Sequence, residues 1–357
     1  MPVFEKRLVW KMRRSVRVFL GLEVGIVRDG APRAAERQIE KQRKQIASQN
    51  EDLRRARQRL ASKDRELTEL RARLYGTEGV RPENIVWIFG TGRSGNSWLS
   101  NMMEELEGHA VWREPSIGRL FGEFYYFHSR EGQRGTRNYV LGEKQRETWL
   151  RSIRNFVLEG AHGRFPEVGD GYLVIKEQVG SVGAPLLVEA LPESRMVLLV
   201  RDPRDVVASF MDATRKGGWR YERLDKSDAE WSIANQDPTA FAEEWANHYL
   251  KNMSKAKEAY ESHRGRKILV KYEDLRANTL GTMKCIYSSL GIGVNEEGLA
   301  RAVKKHSWEN VPEEEKGEGK FQRKAKPGGW REDLTSEQVV AVERITAPLL
   351  AEFYPND

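Results

Sequence analysis

Three short stretches of the chain carry residues that could hold a polyanion. The first is IVWIFGTGRSGNSWLSNMM, Ile85 to Met103: an apolar run, a glycine-rich turn, then a segment that reads as a helix. Backbone N–H groups of such a turn and of the helix start surround a phosphate, and G-x-x-x-x-G-K-[ST] completes the nucleotide-triphosphate site with a lysine. Gly90, Gly95 and Ser97 stand at that spacing, but Asn96 holds the lysine position and the loop's cation is Arg93. A planar guanidinium there meets phosphate-like oxygens as a fork. The plain alternative is a tight strand-to-helix turn whose glycines serve only the backbone.

The second stretch is VRDPRDVVASFMD, residues 200–212, at the end of the apolar run MVLLV. Asp202 suits an N-cap and Pro203 a first helical position. Arg201 then lies at a strand end and Ser209 about two helical turns on, a second cation and hydroxyl for an anion with two separated phosphates. A competing reading makes Asp202 a magnesium ligand of a kinase-type strand, and a plain one makes this a capped surface helix. The third stretch, FQRKAKPGGWREDLT from Phe321 to Thr335, sets Arg323, Lys324, Lys326 and Arg331 around a Pro-Gly-Gly turn. Its composition fits a basic loop able to close over an anion, or one that is merely solvated.

These stretches need a scaffold. Apolar runs at residues 85–89, 172–176, 196–200 and 267–272 are short, rich in Val, Ile and Leu, and separated by helix-like segments, as in buried parallel strands. The expected class is α/β, a parallel sheet with flanking helices, in which ligands sit at the carboxyl ends of the strands. With 357 residues, 39% hydrophobic and 32% charged, the chain can bury one enzyme-sized core and carry an appendage. A single cysteine, Cys285, rules out an intramolecular disulfide and a cysteine zinc site, and a cytoplasmic setting is the default.

The appendage holds the positive charge. Through Tyr75 there are 20 Lys and Arg against 10 Asp and Glu; beyond it the counts are 40 and 43, within a total net charge of +7. Such an extension fits an anionic surface. In residues 3–27, Phe4, Leu8, Met12, Val16 and Phe19 or Leu20 recur at helical spacing among Lys6, Arg7, Arg13, Arg14 and Arg17, the pattern of a helix lying in a bilayer interface, or docked on protein. The expected partner is the inner face of a membrane and not nucleic acid. From Ala35 to Leu74 there is no Pro or Gly, and Ile39, Ile46, Leu53, Leu60, Leu67 and Leu74 fall seven apart, one seam position of a coiled coil. The companion positions Gln42, Gln49, Ala56, Lys63 and Leu70 make the seam half apolar, so either self-association or a solvated spacer helix follows. The expected division is a basic amphipathic segment 1–30, a coiled-coil helix 31–76 and a catalytic domain 80–357.

Taken in order, the three basic stretches resemble the sulfotransferases that use 3′-phosphoadenosine 5′-phosphosulfate. GTGRSGNSWL is similar to that family's 5′-phosphosulfate loop, VRDPRDVVAS to its 3′-phosphate motif and RKAKPGGWRE to its late basic loop. The resemblance implies a parallel α/β fold related to nucleotide kinases, with Arg93 and the backbone of Thr91, Gly92, Ser94, Gly95, Asn96 and Ser97 at the 5′-phosphosulfate. It implies Trp98 near the adenine, Arg201 and Ser209 on the 3′-phosphate with Arg323 and Lys324 beside them, and Trp330 and Arg331 shaping the closing loop. Arg93 in place of the lysine of many cytosolic members is more like the Golgi-type and bacterial carbohydrate and protein-tyrosine branches. The histidine base of cytosolic members is absent, because the strand ends in Lys176, Glu177 and Gln178. Other branches place a Glu about twenty residues beyond the first loop, which here is Glu114, with Glu177 second; either could also be an ordinary ion pair. The implied reaction is in-line transfer to an acceptor hydroxyl, with Glu114 as base and Lys176 and Arg93 stabilising the departing adenosine 3′,5′-bisphosphate. By resemblance no metal is required, and the six His and one Cys show no ligand spacing.

Two other classes stay open from the sequence: a P-loop kinase or NTPase, disfavoured by Asn96, and a non-catalytic coiled-coil scaffold with a degenerate nucleotide site. The acceptor is read from RLFGEFYYFHSREGQRGTRNY, Arg119 to Tyr139, whose aromatics suit sugar rings or an acyl chain and whose arginines suit an anion. A glycan or glycolipid is the leading expectation, ahead of protein tyrosine or a small metabolite, and helix packing explains the same aromatics nearly as well.

Overall fold

A computed structural model describes residues 31–75, 79–128, 145–221 and 237–355. The chain separates into two units, Met1–Arg71 and Ala72–Asp357. The segment 3–27, expected to be amphipathic, lies outside the described residues. One helix, α1 (Ala31–Tyr75), runs through the stretch free of Gly; all but its last four residues lie in the first unit. Intrahelical pairs such as Lys44–Glu40 and Arg55–Glu51 add only about 0.3–0.5 kcal/mol each. Ile46 and Leu53 are 56% and 51% exposed along it.

The second unit is built on five parallel strands: β1 (Ile85–Phe89), β2 (His109–Arg113), β3 (Tyr172–Lys176), β4 (Arg195–Val200) and β5 (Lys267–Lys271). Their spatial order is β2-β3-β1-β4-β5. Four of them are the apolar runs of the sequence. β2 is the exception, because polar His109 and charged Arg113 bound HAVWR, of which only Val111 is fully buried, and so no apolar run announces it. β1 is central and buried at every position, and its residues alternate between two cores. Ile85, Trp87 and Phe89 join one with α4 (Arg146–Arg164), α5 (Ala184–Ala190) and α7 (Pro238–Ser262). Val86 and Ile88 join the other with α2 (Asn96–Glu104), α9 (Thr279–Leu290) and α10 (Glu296–Lys305). Helices on both faces are what an all-parallel sheet requires.

The remaining described α-helices are α3 (Phe124–His128), α6 (Pro203–Thr214), α8 (Tyr272–Ala277), α11 (Trp330–Asp333) and α12 (Ser336–Phe353). α6 begins as its sequence predicts, with Pro203 first and the Asp202 carboxylate accepting from Arg204 N at 2.8 Å. The fold is thus the expected parallel α/β sheet with flanking helices. Because every strand runs the same way, all five carboxyl ends lie on one edge.

Candidate active site

Each strand delivers a candidate residue to that edge. β1 runs into the loop Gly90–Gly95, β2 into Glu114, β3 ends on Lys176, β4 is followed by Arg201, and β5 by Tyr272. A cleft of about 1100 Å³ opens there, lined among others by Arg93, Trp98, Lys176, Arg201, Trp245 and Tyr272.

The loop is braced from inside. Thr91 Oγ1 and Ser94 Oγ are 2.7 Å apart, and Asn96 Nδ2 donates to Thr91 O at 2.7 Å. Asn96 is 1% exposed, so its side chain holds the loop together where a lysine would reach for phosphates, and only its backbone is left to meet a ligand. Gly95 caps α2 at φ 92°, with no side-chain acceptor at the helix start. A side chain at that angle would be strained, and the first-turn N–H groups, which have no partner within a helix, are left for an anion. Arg93 shares the left-handed region at φ 67°.

Lys176 ties this loop to a carboxylate. Its Nζ donates to Ser97 Oγ at 3.0 Å and lies 3.2 Å from Glu114 Oε1. The lysine is buried, while a quarter of the Glu114 side chain remains exposed. Glu114 stands at φ 48°, its own N–H held by Lys176 O at 2.9 Å and its Oε2 accepting from Val179 N at 3.3 Å. Burial raises its carboxyl above the ordinary carboxylate range, and the Lys176 ammonium acts against that rise.

A second cationic cluster stands across the loop. Arg93 Nε donates to Ser209 Oγ at 2.9 Å and Nη2 to Phe321 O at 2.7 Å, with the guanidinium 4.9 Å from the Phe321 ring centre and 5.7 Å from that of Trp219. Burial, then the neighbouring Arg201, pull its pKa down to about 10. Arg201 Nη1 donates to Arg93 O at 2.8 Å, and the group lies 4.3 Å from the ring centre of Tyr272. Its Nε is buried with no hydrogen-bond partner among the described residues. Two arginines this close with a donor unsatisfied fit an anionic ligand between them.

The basic loop closes the same side. Asp205 accepts from Gly328 N at 2.8 Å and Trp330 N at 2.9 Å, and Arg276 Nε donates to Ala325 O at 3.1 Å. Arg323 pairs with Asp212 and Asp333, and Lys324 with Glu332 and Asp333. Both cations line the cleft, and each is already neutralised by acids of this chain. Trp330 is buried between Arg204 and Arg331, with ring centres 4.2 Å and 4.4 Å from the guanidinium carbons.

A family model for the sulfotransferase domain matches residues 83–354. The chain belongs to the sulfotransferase family. Similar solved structures include mouse sulfotransferase SULT7A1 complexed with PAP, at 15% identity over 77% of this chain and 87% of that one, TM-score 0.48. Sulfotransferase STF9 from Mycobacterium avium matches at 15% identity over 77% and 78%, TM-score 0.45. A retinol dehydratase in complex with androsterone and inactive cofactor PAP matches at 17% over 78% and 84%, TM-score 0.40. No curated protein sequence matches the chain.

Three expectations change in this sulfotransferase. Asp202 is engaged by the Arg204 side chain through Nε at 3.0 Å and Nη2 at 2.7 Å, which leaves it a capping residue and no magnesium ligand. Phe121 and Tyr125 at the start of the Arg119–Tyr139 segment pack inward, Phe121 meeting Trp149 at 5.5 Å and Phe156 at 5.6 Å and Tyr125 2% exposed, while Phe124 is 50% exposed. Of that segment's described residues Arg119 lines the cleft, and residues 129–139 lie outside the described ones. Glu177, the second candidate base, is fully buried, with Ile117 N donating to its Oε1 at 2.7 Å. It braces the turn after Glu114, and a Cβ on Gly180 would come within 1.8 Å of its Oε2.

Burial pushes the Glu177 carboxyl up to about 8 from an ordinary 4.5. Between those values the folded state keeps a proton that the unfolded state has lost, so this group makes stability fall as pH rises from 4.5 to 8. Glu177→Gln is expected to keep the Ile117 hydrogen bond and to flatten that decline, so that the variant melts above the wild type at about pH 8 and close to it at about pH 5. Parallel melting curves at the two pH values would refute the assignment.

Tyr272, Trp245 and Asp205 were not singled out by sequence motifs. The signal for Tyr272 was its position at the end of KILVKY. Asp205 lies within the second motif, but its partners in the basic loop, Gly328 and Trp330, are far away in sequence.

Proposed function

We propose that this sulfotransferase takes its sulfuryl group from 3′-phosphoadenosine 5′-phosphosulfate and passes it to a hydroxyl of a glycan or glycolipid, with Glu114 as base. The observation that carries this reading is the Lys176 ammonium, 3.0 Å from the anion loop at Ser97 and 3.2 Å from Glu114. One cation thereby touches both the loop that would hold the sulfated end of a nucleotide and the carboxylate that would take the acceptor proton. When bound, the donor supplies an activated sulfuryl group and a bisphosphate leaving group. Glu114 would accept the hydroxyl proton, while Lys176 and Arg93 oppose negative charge on the leaving side. Arg201 and Ser209 would hold a 3′-phosphate, Arg323 and Lys324 would join them by exchanging their acidic partners, and Trp98, set edge-on to Tyr272 at 6.2 Å, offers an aromatic wall for adenine.

The acceptor class is supported by the aromatic lining of the cleft: Trp219, Trp245, Trp308 and Phe321. Aromatic faces with interspersed polar groups suit sugar rings. Residues 3–27 would bring the enzyme to the cytoplasmic face of a membrane, where a glycolipid is presented. Among the described residues no helix is long and apolar enough to cross one.

Calorimetry on the full chain tests the donor. Adenosine 3′,5′-bisphosphate is expected to bind much more tightly than ATP with magnesium, and preference for ATP would overturn the reading. Arg201→Ala should weaken the bisphosphate about 10- to 100-fold, the weight of one or two charge-assisted hydrogen bonds. It should leave adenosine 5′-monophosphate nearly unaffected, and equal losses would remove Arg201 from the 3′-phosphate. Transfer of labelled sulfate to glycosides, with a tyrosyl peptide in parallel, separates the acceptor classes.

A further inference from the structure

The long helix α1 carries two apolar side chains, seven residues apart, that its own unit does not cover. Its 45 residues span about 68 Å, and Ile46 and Leu53, seven apart on it, are more than half exposed. We propose that α1 pairs with α1 of a second copy as a parallel, in-register, two-stranded coiled coil.

Heptad positions fix both the face and the direction. With Ile39, Ile46, Leu53, Leu60, Leu67 and Leu74 at position a, position d holds Gln42, Gln49, Ala56, Lys63 and Leu70. The opposite assignment would put Arg43, Asn50, Arg57, Asp64 and Arg71 in the seam, which an apolar contact does not tolerate. Under the first assignment the g positions Asp52, Arg59 and Glu66 precede by five residues the e positions Arg57, Asp64 and Arg71. Residues g and the following e of the partner are the pair that meets across a parallel dimer. All three pairs are of opposite charge, their signs alternate along the helix, and two-fold symmetry makes each of them twice. Asp52, Arg59 and Glu66 are exposed on the single helix, and Glu66 additionally meets Lys63 of its own chain.

An antiparallel pair faces e against e and g against g. The register centred on Arg57 sets that residue opposite its own copy and Arg43 opposite Arg71, like charge against like. The register one heptad away brings Arg43 to Asp64 and Asp52 to Arg59, two kinds of opposite pair against the three of the parallel dimer. β-branched Ile at the first a positions favours two strands, and the polar d residues cost more in the more enclosed core of three or four. In the parallel pair both copies of residues 1–30 precede the coil at the same end. An anionic membrane would then be met by two basic segments at once, which multiplies a weak surface affinity.

The test uses the full chain, with Cys285→Ser to remove the one native cysteine, which is exposed. Gln49→Cys in that background places a thiol at d. In a glutathione redox buffer it should cross-link two copies through a disulfide, reducing oxidised glutathione, because parallel in-register d residues face each other. An antiparallel coil would hold the two thiols far apart. Sedimentation without the added cysteine should give a dimer. Reversing g alone (Asp52→Arg, Arg59→Asp, Glu66→Arg) or e alone (Arg57→Asp, Asp64→Arg, Arg71→Glu) should weaken the dimer at least about tenfold, since every cross-strand attraction becomes a repulsion. Mixing the two variants should restore pairing as a heterodimer. A monomer, a trimer, a dimer that Gln49→Cys fails to cross-link, or a mixture that stays apart would each overturn the proposal. None of these readouts uses sulfuryl transfer, so they stand apart from the fate of the catalytic reading.

Discussion

Lys176→Met is expected to lower turnover roughly 10²–10³-fold, the usual weight of one preorganised donor aimed at developing charge, while adenosine 3′,5′-bisphosphate still binds. The ammonium is fixed at the end of β3 by two contacts, Ser97 Oγ and Glu114 Oε1. Methionine fills the space of the stem and removes the ammonium, both its charge and its hydrogen bond to Ser97 Oγ. The loss has a second component that can be measured separately. Breaking a buried ion pair from one side costs about 3–5 kcal/mol because the remaining charge stays uncompensated, and the exposure of Glu114 places its cost at the low end of that range. Without Lys176 the Glu114 carboxyl, already raised by burial, rises further, so the acid limb of the pH–rate profile should move to higher pH. The double variant Lys176→Met, Glu114→Gln should recover stability and not activity. Wild-type turnover in the single variant would remove Lys176 from the reaction.

Much of the site was legible because its residues sit in short motifs at strand ends, where sequence neighbours are also spatial neighbours. Arg93, Ser97 and Trp98 share one strand-turn-helix with Gly90, and Arg201 and Ser209 share another with an N-cap at Asp202. Four strands were legible as apolar runs, the edge strand β5 among them. β2, at the other edge, was not, because polar His109 and charged Arg113 bound HAVWR and leave no apolar run to read. What sequence could not give is the pairing of charges across distance. Arg323 and Lys324 read as free cations, yet they meet Asp212 and Asp333, so ligand binding there must displace or share acids. Asn96 reads only as the residue that replaces the lysine, and the brace its side-chain amide makes to Thr91 O is not announced by the motif. The sequence ranks Glu114 ahead of Glu177 only through the resemblance, with no physical ground in the residues themselves. The structure separates them through burial, one carboxylate at the mouth of the Lys176 contact and the other enclosed under Ile117.

That separation leads to the largest expected effect. Glu114→Gln should reduce kcat about 10²–10⁴-fold, the range for loss of a positioned general base, with nucleotide affinity unchanged because Glu114 touches Lys176 and Val179 N and not the anion loop itself. The amide keeps the shape and can still accept from Val179 N, so the backbone at φ 48° has no new reason to move. In the wild type, activity should fall as pH drops through the raised Glu114 value, because the protonated carboxyl cannot accept the acceptor's proton; in Glu114→Gln the residual rate should lose that limb. A nearly inactive variant that retained the wild-type acid limb would place the titrating base elsewhere and leave Glu114 as the partner that orients Lys176. Buried Glu177 would be a poor replacement. Its carboxyl stays protonated to about pH 8, and its Oε1 is already occupied by Ile117 N, so Glu177→Gln together with Glu114→Gln should lower kcat no further than Glu114→Gln alone.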